Sequence, residues 1–290
     1  MNESRPIFID TDNACGSLFG DIDDAFALSA FLGAGISIVG ISSIFGNTSA
    51  QQSLKNCKDL VNLFSENRTK DSVPLVAGCS SGSGISEKLM SFFKDNSRVF
   101  RYAALGPLTN LAHLIDVHGD AFTKNVSDVL FIGANSVSKG RLPPLWPHEF
   151  NVTKDRIGAQ KVFASNLKLT IFPLNVAKKL IFNPSDISSL PEPLRSYLLS
   201  RSRRWILRNL LLKGRTYFPV WDLVAAMYHL KPHLYTHRDT KASFSRLGHI
   251  AFDEGTRPVK LITGFDQEAV KIEYFQLLGR FFSQQKRVPS

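Results

Sequence analysis

The chain has 290 residues, 43% hydrophobic and 21% charged, a composition that excludes a disordered, collagenous or disulfide-stapled protein. The 35 Lys and Arg against 25 Asp and Glu give a formal net charge of +10, so nucleic acid or an anionic surface has to be considered as partner. Three cysteines (Cys15, Cys57, Cys79) without a Cys-x-x-Cys spacing point to a reducing compartment and away from a zinc site.

Met1 to Ile9 leads straight into an apolar run with no h-region or cleavage site, so no signal peptide is expected. A first strand is predicted over Pro6–Thr11. Phe26 to Gly46 is uncharged for about the length of a membrane span. Gly33-Ala34-Gly35 divides it, however, into a helix ending near Leu32 and a β-branched strand, Ile36–Ile44. Further strands are predicted at Pro74–Val76, Val99–Ala104, Asp128–Gly133 and Leu167–Pro173. Helical patterns lie between them at Asp23–Leu32, Ser49–Ser65, Leu108–Val117 and Asp155–Ser165, with residues 183–214 helical beyond. Uniformly apolar strands alternating with helices predict one α/β domain over residues 1–290, built around a mostly parallel, Rossmann-like sheet. Ligands of such folds sit beyond the carboxyl ends of the strands, so the residues following each strand are the ones to inspect.

The densest chemistry follows the first strand. Asp10, Asp12, Asp21, Asp23 and Asp24 fall within fifteen residues of a net-positive chain. Carboxylates this close repel one another unless a cation or buried donors compensate. Asp21 or Asp23 could cap the following helix, which accounts for one or two of the five but not for all, so a cation site is expected. All-oxygen donors without nearby Cys or His favour Ca²⁺ or Mg²⁺. An EF-hand fits poorly, because Ala14 and Cys15 stand where that loop needs an oxygen ligand and a turn glycine.

Two enzyme families place Asp-x-Asp after a first strand. The haloacid-dehalogenase-like phosphatases usually have Thr or Val where this chain has Ala14, and their second acidic pair comes late in the chain. A closer match is Asp10-Thr11-Asp12 followed by Gly20-Asp21-Ile22-Asp23-Asp24-Ala25-Phe26-Ala27-Leu28. With a short insertion at Ala14–Phe19, it resembles the Asp-rich signature of the inosine-uridine nucleoside hydrolases. Phe45-Gly46-Asn47-Thr48, Leu105-Gly106-Pro107-Leu108-Thr109-Asn110-Leu111-Ala112, Glu149-Phe150-Asn151 and Trp221-Asp222-Leu223-Val224-Ala225 follow in that family's order. The resemblance spans roughly residues 6 to 235.

That resemblance implies the nucleoside hydrolase fold and Ca²⁺-dependent hydrolysis of ribonucleosides to ribose and free base, as in purine or pyrimidine salvage. It implies that Asp12 ligates Ca²⁺ and acts as general base, with Asp24, Asp222 and the backbone carbonyl of Thr109 as further ligands. Asp23 and Asn47 would face the ribose 2′ side, Asn151 the 3′-hydroxyl and Glu149 the 5′-hydroxyl. Asp10 would lie behind them and orient the loop. Many relatives have His where this chain has Trp221, which cannot donate a proton but can stack on a base, and this suggests a purine preference. A His-Gly motif expected between Cys79 and Leu105 is replaced by Ser80-Ser81-Gly82-Ser83-Gly84, and a ribose-binding Asn by Pro143. Trp146 and His148 are candidate replacements for the missing pocket contacts. These departures keep two alternatives open: a nucleoside- or sugar-binding member without hydrolysis, and an Asp-x-Asp phosphatase. His229, His233 and His237 have helical metal spacing, but Pro232 interrupts it.

Much of the excess charge lies in Arg195, Arg201, Arg203, Arg204, Arg208, Lys213 and Arg215, opposed by Glu192 alone. Leu198, Leu199, Trp205, Ile206, Leu210 and Leu211 supply an apolar stripe, which predicts an amphipathic helix with a basic solvated face. The charge therefore marks a surface. A cytoplasmic homodimer or homotetramer acting on a small nucleoside is expected, with neither nucleic acid nor a membrane as partner.

Overall fold

Strand β1 (Ile7–Thr11) is buried at every position, which explains why it reads as an apolar run rather than an alternation. The computed structural model describes residues 5–17, 20–65, 73–134, 149–253 and 255–285. Within them, β1 is joined in parallel by β2 (Ile38–Ser43), β3 (Leu75–Ala77), β4 (Phe100–Ala104), β5 (Val126–Ile132) and β6 (Leu169–Phe172). Both ends of each of these strands lie within two residues of the sequence prediction. Their spatial order is β3-β2-β1-β4-β5-β6, the doubly wound order whose direction reverses between β1 and β4. A short antiparallel pair, β7 (Ile181–Phe182) and β8 (Phe218–Pro219), stands apart. The large sheet continues past β6 with β9 (Tyr235–Phe244), β10 (Ile250–Phe252) and β11 (Arg257–Phe265), in the order β6-β11-β9-β10. There β11 is parallel to β6, and β9 runs antiparallel to both its neighbours.

The connecting helices are α1 (Asp23–Gly33), α2 (Ala50–Ser65), α3 (Glu87–Lys94), α4 (Thr109–Thr123), α5 (Phe150–Lys154) and α6 (Arg156–Ala164). They continue with α7 (Leu174–Ala177), α8 (Pro184–Ser188), α9 (Leu194–Lys213), α10 (Trp221–Leu230) and α11 (Gln267–Gln285). The predicted end of α4 near Val117 marks a kink, since Gly119 takes φ 51° and the helix resumes beyond it. Two hydrophobic clusters sandwich the sheet. Ile7 and Ile9 face one, with Phe26, Phe182 and Tyr274; Phe8 faces the other, with Phe93, Phe100 and Tyr102. Among the described residues, no helix is long and apolar enough to cross a membrane.

The expected apolar stripe of α9 is corrected in its last two members. Leu198 and Trp205 are buried, and Leu199 and Ile206 pack against the core. Leu210 and Leu211 are instead exposed, because they lie on the side of α9 turned away from the buried Leu198, Trp205 and Asn209.

Candidate active site

The carboxyl ends of β1, β2 and β4 meet the N-termini of α1, α4, α5 and α10. Asp10 extends β1 on the face that carries Phe8 and Tyr102. One of its oxygens accepts from Ser42 Oγ at 2.6 Å and Asn110 Nδ2 at 2.7 Å, the other from the Tyr102 hydroxyl at 2.9 Å. Burial outweighs these donors and pushes the Asp10 carboxyl up to about 7. Asn110 also donates to the Ser43 carbonyl at 3.1 Å and accepts from the Cys79 N–H at 2.8 Å. It thereby ties together the chain leaving β1, β2 and β3.

Asp12 is 1% exposed and accepts the Asn47 N–H at 2.6 Å. Gly46 allows this approach, since a Cβ there would lie 2.0 Å from Asp12 Oδ2. Gly106 closes the other side, with its Cβ position 3.3 Å from the Asp12 carboxyl carbon. Burial, and then the charge of Asp23, raise the Asp12 carboxyl to about 7. Asn47 turns its side-chain NH₂ to Asp21 Oδ1 at 3.2 Å, so one residue bridges two carboxylates.

Helices α1 and α10 pack against each other, which brings their first turns, carrying Asp23, Asp24 and Asp222, into one place. The N-cap positions are Ile22 and Val220, neither of which makes a side-chain capping bond, so the idea that Asp21 or Asp23 caps α1 does not hold. Asp24 accepts from Thr11 Oγ1, and the Asp222 N–H points at Asp23 Oδ2 at 3.4 Å. Oxygens of Asp21, Asp23 and Asp24 come within 4.8 Å of one another. Asp23 Oδ1 and Asp24 Oδ2 are buried without a hydrogen-bond partner. Burial and mutual repulsion raise Asp21, Asp24 and Asp222 well above the usual carboxylate range, and Asp23 is raised mainly by burial. The positive ends of two helix dipoles offset this repulsion only in part. Orphaned oxygens, an all-oxygen donor set and uncompensated charge fit a bound divalent cation.

A cavity of about 210 Å³ opens beside the cluster, lined among others by Asp21, Asp23, Asn47, Glu149, Asn151, Trp221 and Asp222. Glu149 begins α5, and its two oxygens accept from the N–H groups of Asn151 (2.9 Å) and Val152 (2.7 Å). Burial raises its carboxyl to about 7. Asn151 donates its side-chain NH₂ to the carbonyls of Leu105 at 3.1 Å and Ile132 at 3.2 Å, leaving its side-chain oxygen for other partners. Thr109 is fully buried, and its hydroxyl donates to Asp155 at 2.6 Å. Leu105, Ile132, Phe150 and Leu174 complete the apolar wall.

Of the sequence-predicted site residues, Asp23, Asn47, Glu149, Asn151, Trp221 and Asp222 line the cavity, Asp10, Asp12 and Asp24 belong to the buried carboxylate network, and Thr109 is tied to Asp155 instead. Sequence reasoning missed Asp21 as a wall residue and Asn110 as the tie between loops. Asp21 was visible as one acid too many in the first loop, whereas nothing local distinguished Asn110 from a helix-start residue. Within the Ala14–Phe19 insertion, Cys15 is buried and Gly16 lies against Arg201 of α9, while Leu18 and Phe19 lie outside the described residues. Pro143, Trp146 and His148 also lie outside them. His229 is buried beside Arg101, with its Nδ1 at 3.2 Å from the guanidinium.

A doubly wound sheet with a carboxylate cluster beside a small cavity at its reversal point defines a ligand site of the kind α/β enzymes use. Residues 7–271 match the family described as inosine-uridine preferring nucleoside hydrolase, and the chain belongs to that family. Uridine nucleosidase 1 of Arabidopsis thaliana is 26% identical over 295 positions, covering 89% of this chain and 84% of that protein. The non-specific ribonucleoside hydrolase RihC of Escherichia coli O7:K1 is 25% identical, covering 91% of each. Among solved structures, a purine-preferring ribonucleoside hydrolase from Gardnerella vaginalis superposes with TM-score 0.77 at 15% identity, over 96% of this chain and 99% of that one. The plant nucleoside hydrolase PpNRh1 gives TM-score 0.76 at 17% identity, over 95% and 99%. The family match selects the nucleoside hydrolases over the phosphatase reading.

Proposed function

We propose that this protein hydrolyses the N-glycosidic bond of ribonucleosides, as a single domain over residues 1–290, with Ca²⁺ held by Asp12, Asp24, Asp222 and the Thr109 carbonyl. The observation that carries the reading is the pair of buried, unpartnered oxygens on Asp23 and Asp24 at the edge of a sugar-sized cavity. When bound, the cation supplies positive charge that gathers the ribose hydroxyls and makes a nearby water easier to deprotonate. Oxygen-only donors favour Ca²⁺ over softer metals.

Asp12 takes the proton from the attacking water. Burial and the neighbouring charge of Asp23 raise its carboxyl above the usual carboxylate range, which makes it a stronger base for that task. The Asn47 N–H fixes its orientation. Asp23 accepts a hydrogen bond from the 2′-hydroxyl, with Asn47 beside it. Asn151 offers its free side-chain oxygen to the 3′-hydroxyl, and Glu149 keeps lone pairs for the 5′-hydroxyl after capping α5. These contacts hold the ribose against Asp12 and strengthen as the ring takes on positive charge. Asp10 touches no substrate; its three donors hold the loop that ends in Asp12. Trp221 forms the cavity wall next to Asp222 and stacks on the base, which supports a preference for the larger purine face. Three buried, free cysteines accord with a cytoplasmic enzyme of nucleoside salvage, which we assign as a homodimer or homotetramer.

Incubation with inosine, guanosine, adenosine, uridine and cytidine, with reducing sugar measured over time, tests the proposal. Release of ribose and free base, faster from the purine nucleosides, is expected. Binding of nucleosides without ribose release would support the non-hydrolysing alternative.

A further inference from the structure

Helix α9 has two faces with opposite character. Leu198, Ser202, Trp205 and Asn209, spaced at helical intervals, are buried against the body of the protein. The other face carries Arg203, Arg204, Leu207, Leu210 and Leu211, a position set (i, i+1, i+4, i+7, i+8) that shares one side of a helix. A solvated helix face is expected to be polar. Here Leu207 is 55%, Leu210 45%, Leu211 75% and Leu212 70% exposed, and Tyr217, just beyond the helix, is 44% exposed.

The charges carried by α9 itself are all positive. Arg195 is paired with Glu192, and Arg201 with Asp59. Arg203, Arg204 and Lys213 are exposed and make no salt bridge among the described residues, and Arg208 and Arg215 add further positive charge. A second copy docked here about a two-fold axis would set these cations against their own duplicates. Nucleic acid would neutralise the charge but offers no apolar phase for four leucines. An anionic bilayer surface accepts both: leucines enter the boundary of the acyl chains while arginines and lysine stay with the headgroups.

We propose that the exposed face of α9 docks the protein peripherally on anionic phospholipid. The sequence expectation of no membrane partner rested on the lack of a spanning segment, which peripheral docking does not need. The inference is independent of the proposed catalytic activity.

The test is flotation of the full-length chain with extruded vesicles of phosphatidylcholine alone, or with about one-third phosphatidylserine. The protein is expected to rise with the phosphatidylserine vesicles at low ionic strength, to stay behind with phosphatidylcholine, and to detach in about 0.5 M salt. Arg203→Ser with Arg204→Ser should lower the partition coefficient by about fivefold for each charge removed. Leu207→Ser with Leu211→Ser should lower it further, with circular dichroism and melting temperature unchanged in both double variants. The proposal is overturned if the wild-type chain fails to float with phosphatidylserine vesicles at low ionic strength. It is equally overturned if sedimentation velocity shows a dimer that the leucine variant splits, or if duplex DNA outcompetes the vesicles.

Discussion

Asp12 is both the proposed base and one of several carboxylates that repel each other in a buried space. These two roles separate in the Asp12→Asn variant. Turnover of nucleosides should fall by about 10²–10⁴-fold, the range for loss of a positioned base. The metal-free variant should melt no lower than wild type, because one mutually repelling charge is gone. A loss of turnover accompanied by unfolding would contradict the assignment. Trp221→Ala should reduce turnover of purine nucleosides much more than that of p-nitrophenyl riboside, whose leaving group needs no assistance. Equal losses on the two substrates would argue against stacking. Glu149 gives a pH signature. Its folded carboxyl binds a proton up to about pH 7, whereas an ordinary glutamate releases it near 4.5, so the native state holds the extra proton between these values. Stability from this group is present at the acidic end and is lost as pH rises through 7, by at most about 3 kcal/mol. Urea unfolding should therefore show Glu149→Gln gaining on wild type between about pH 5 and about pH 8. A constant gap across that range would refute it.

At the scale of elements, the loop after β2 is built around the absence of a side chain. Gly46→Ala would drive a Cβ into the Asp12 carboxylate, with backbone on one side and Gly106 on the other. Turnover should drop at least tenfold with secondary structure retained, as read by steady-state kinetics and circular dichroism; wild-type kinetics would show the loop to be more yielding than its geometry implies. The same elements explain what the sequence made visible. Strands β1 to β6 were legible because burial on both faces demands uniformly apolar residues, and helices such as α2 because they have one apolar side; α1 is buried all round and was legible from the Gly33-Ala34-Gly35 break that ends it. Strand β9 was not legible, since eight of its residues are exposed or only partly buried and its composition is polar (Tyr235–Phe244). Its place is set by pairing with β11, a long-range contact that leaves no local pattern. The end of α9 misled in the opposite direction: Leu210 and Leu211 look like members of an apolar stripe but sit on the side of the helix turned away from Leu198, Trp205 and Asn209.

Across the whole molecule, charge is divided by function. A chain of net charge +10 concentrates buried carboxylates at the reversal point of its sheet and exposed cations on α9. The site was legible through the order of its motifs, because the residues following β1, β2 and β4 and those opening α5 and α10 converge only in this fold. Its hydrogen-bond ties, such as Asn110 to Asp10, needed three dimensions. The central claim is that the Asp cluster holds a cation without which the protein does not hydrolyse nucleosides. Ribose release from inosine should be measured before chelation, after dialysis against EDTA, and after Ca²⁺ is restored. Activity, its loss, and its recovery together with a higher melting temperature are expected in turn. Undiminished ribose release from the thoroughly chelated protein would contradict the claim.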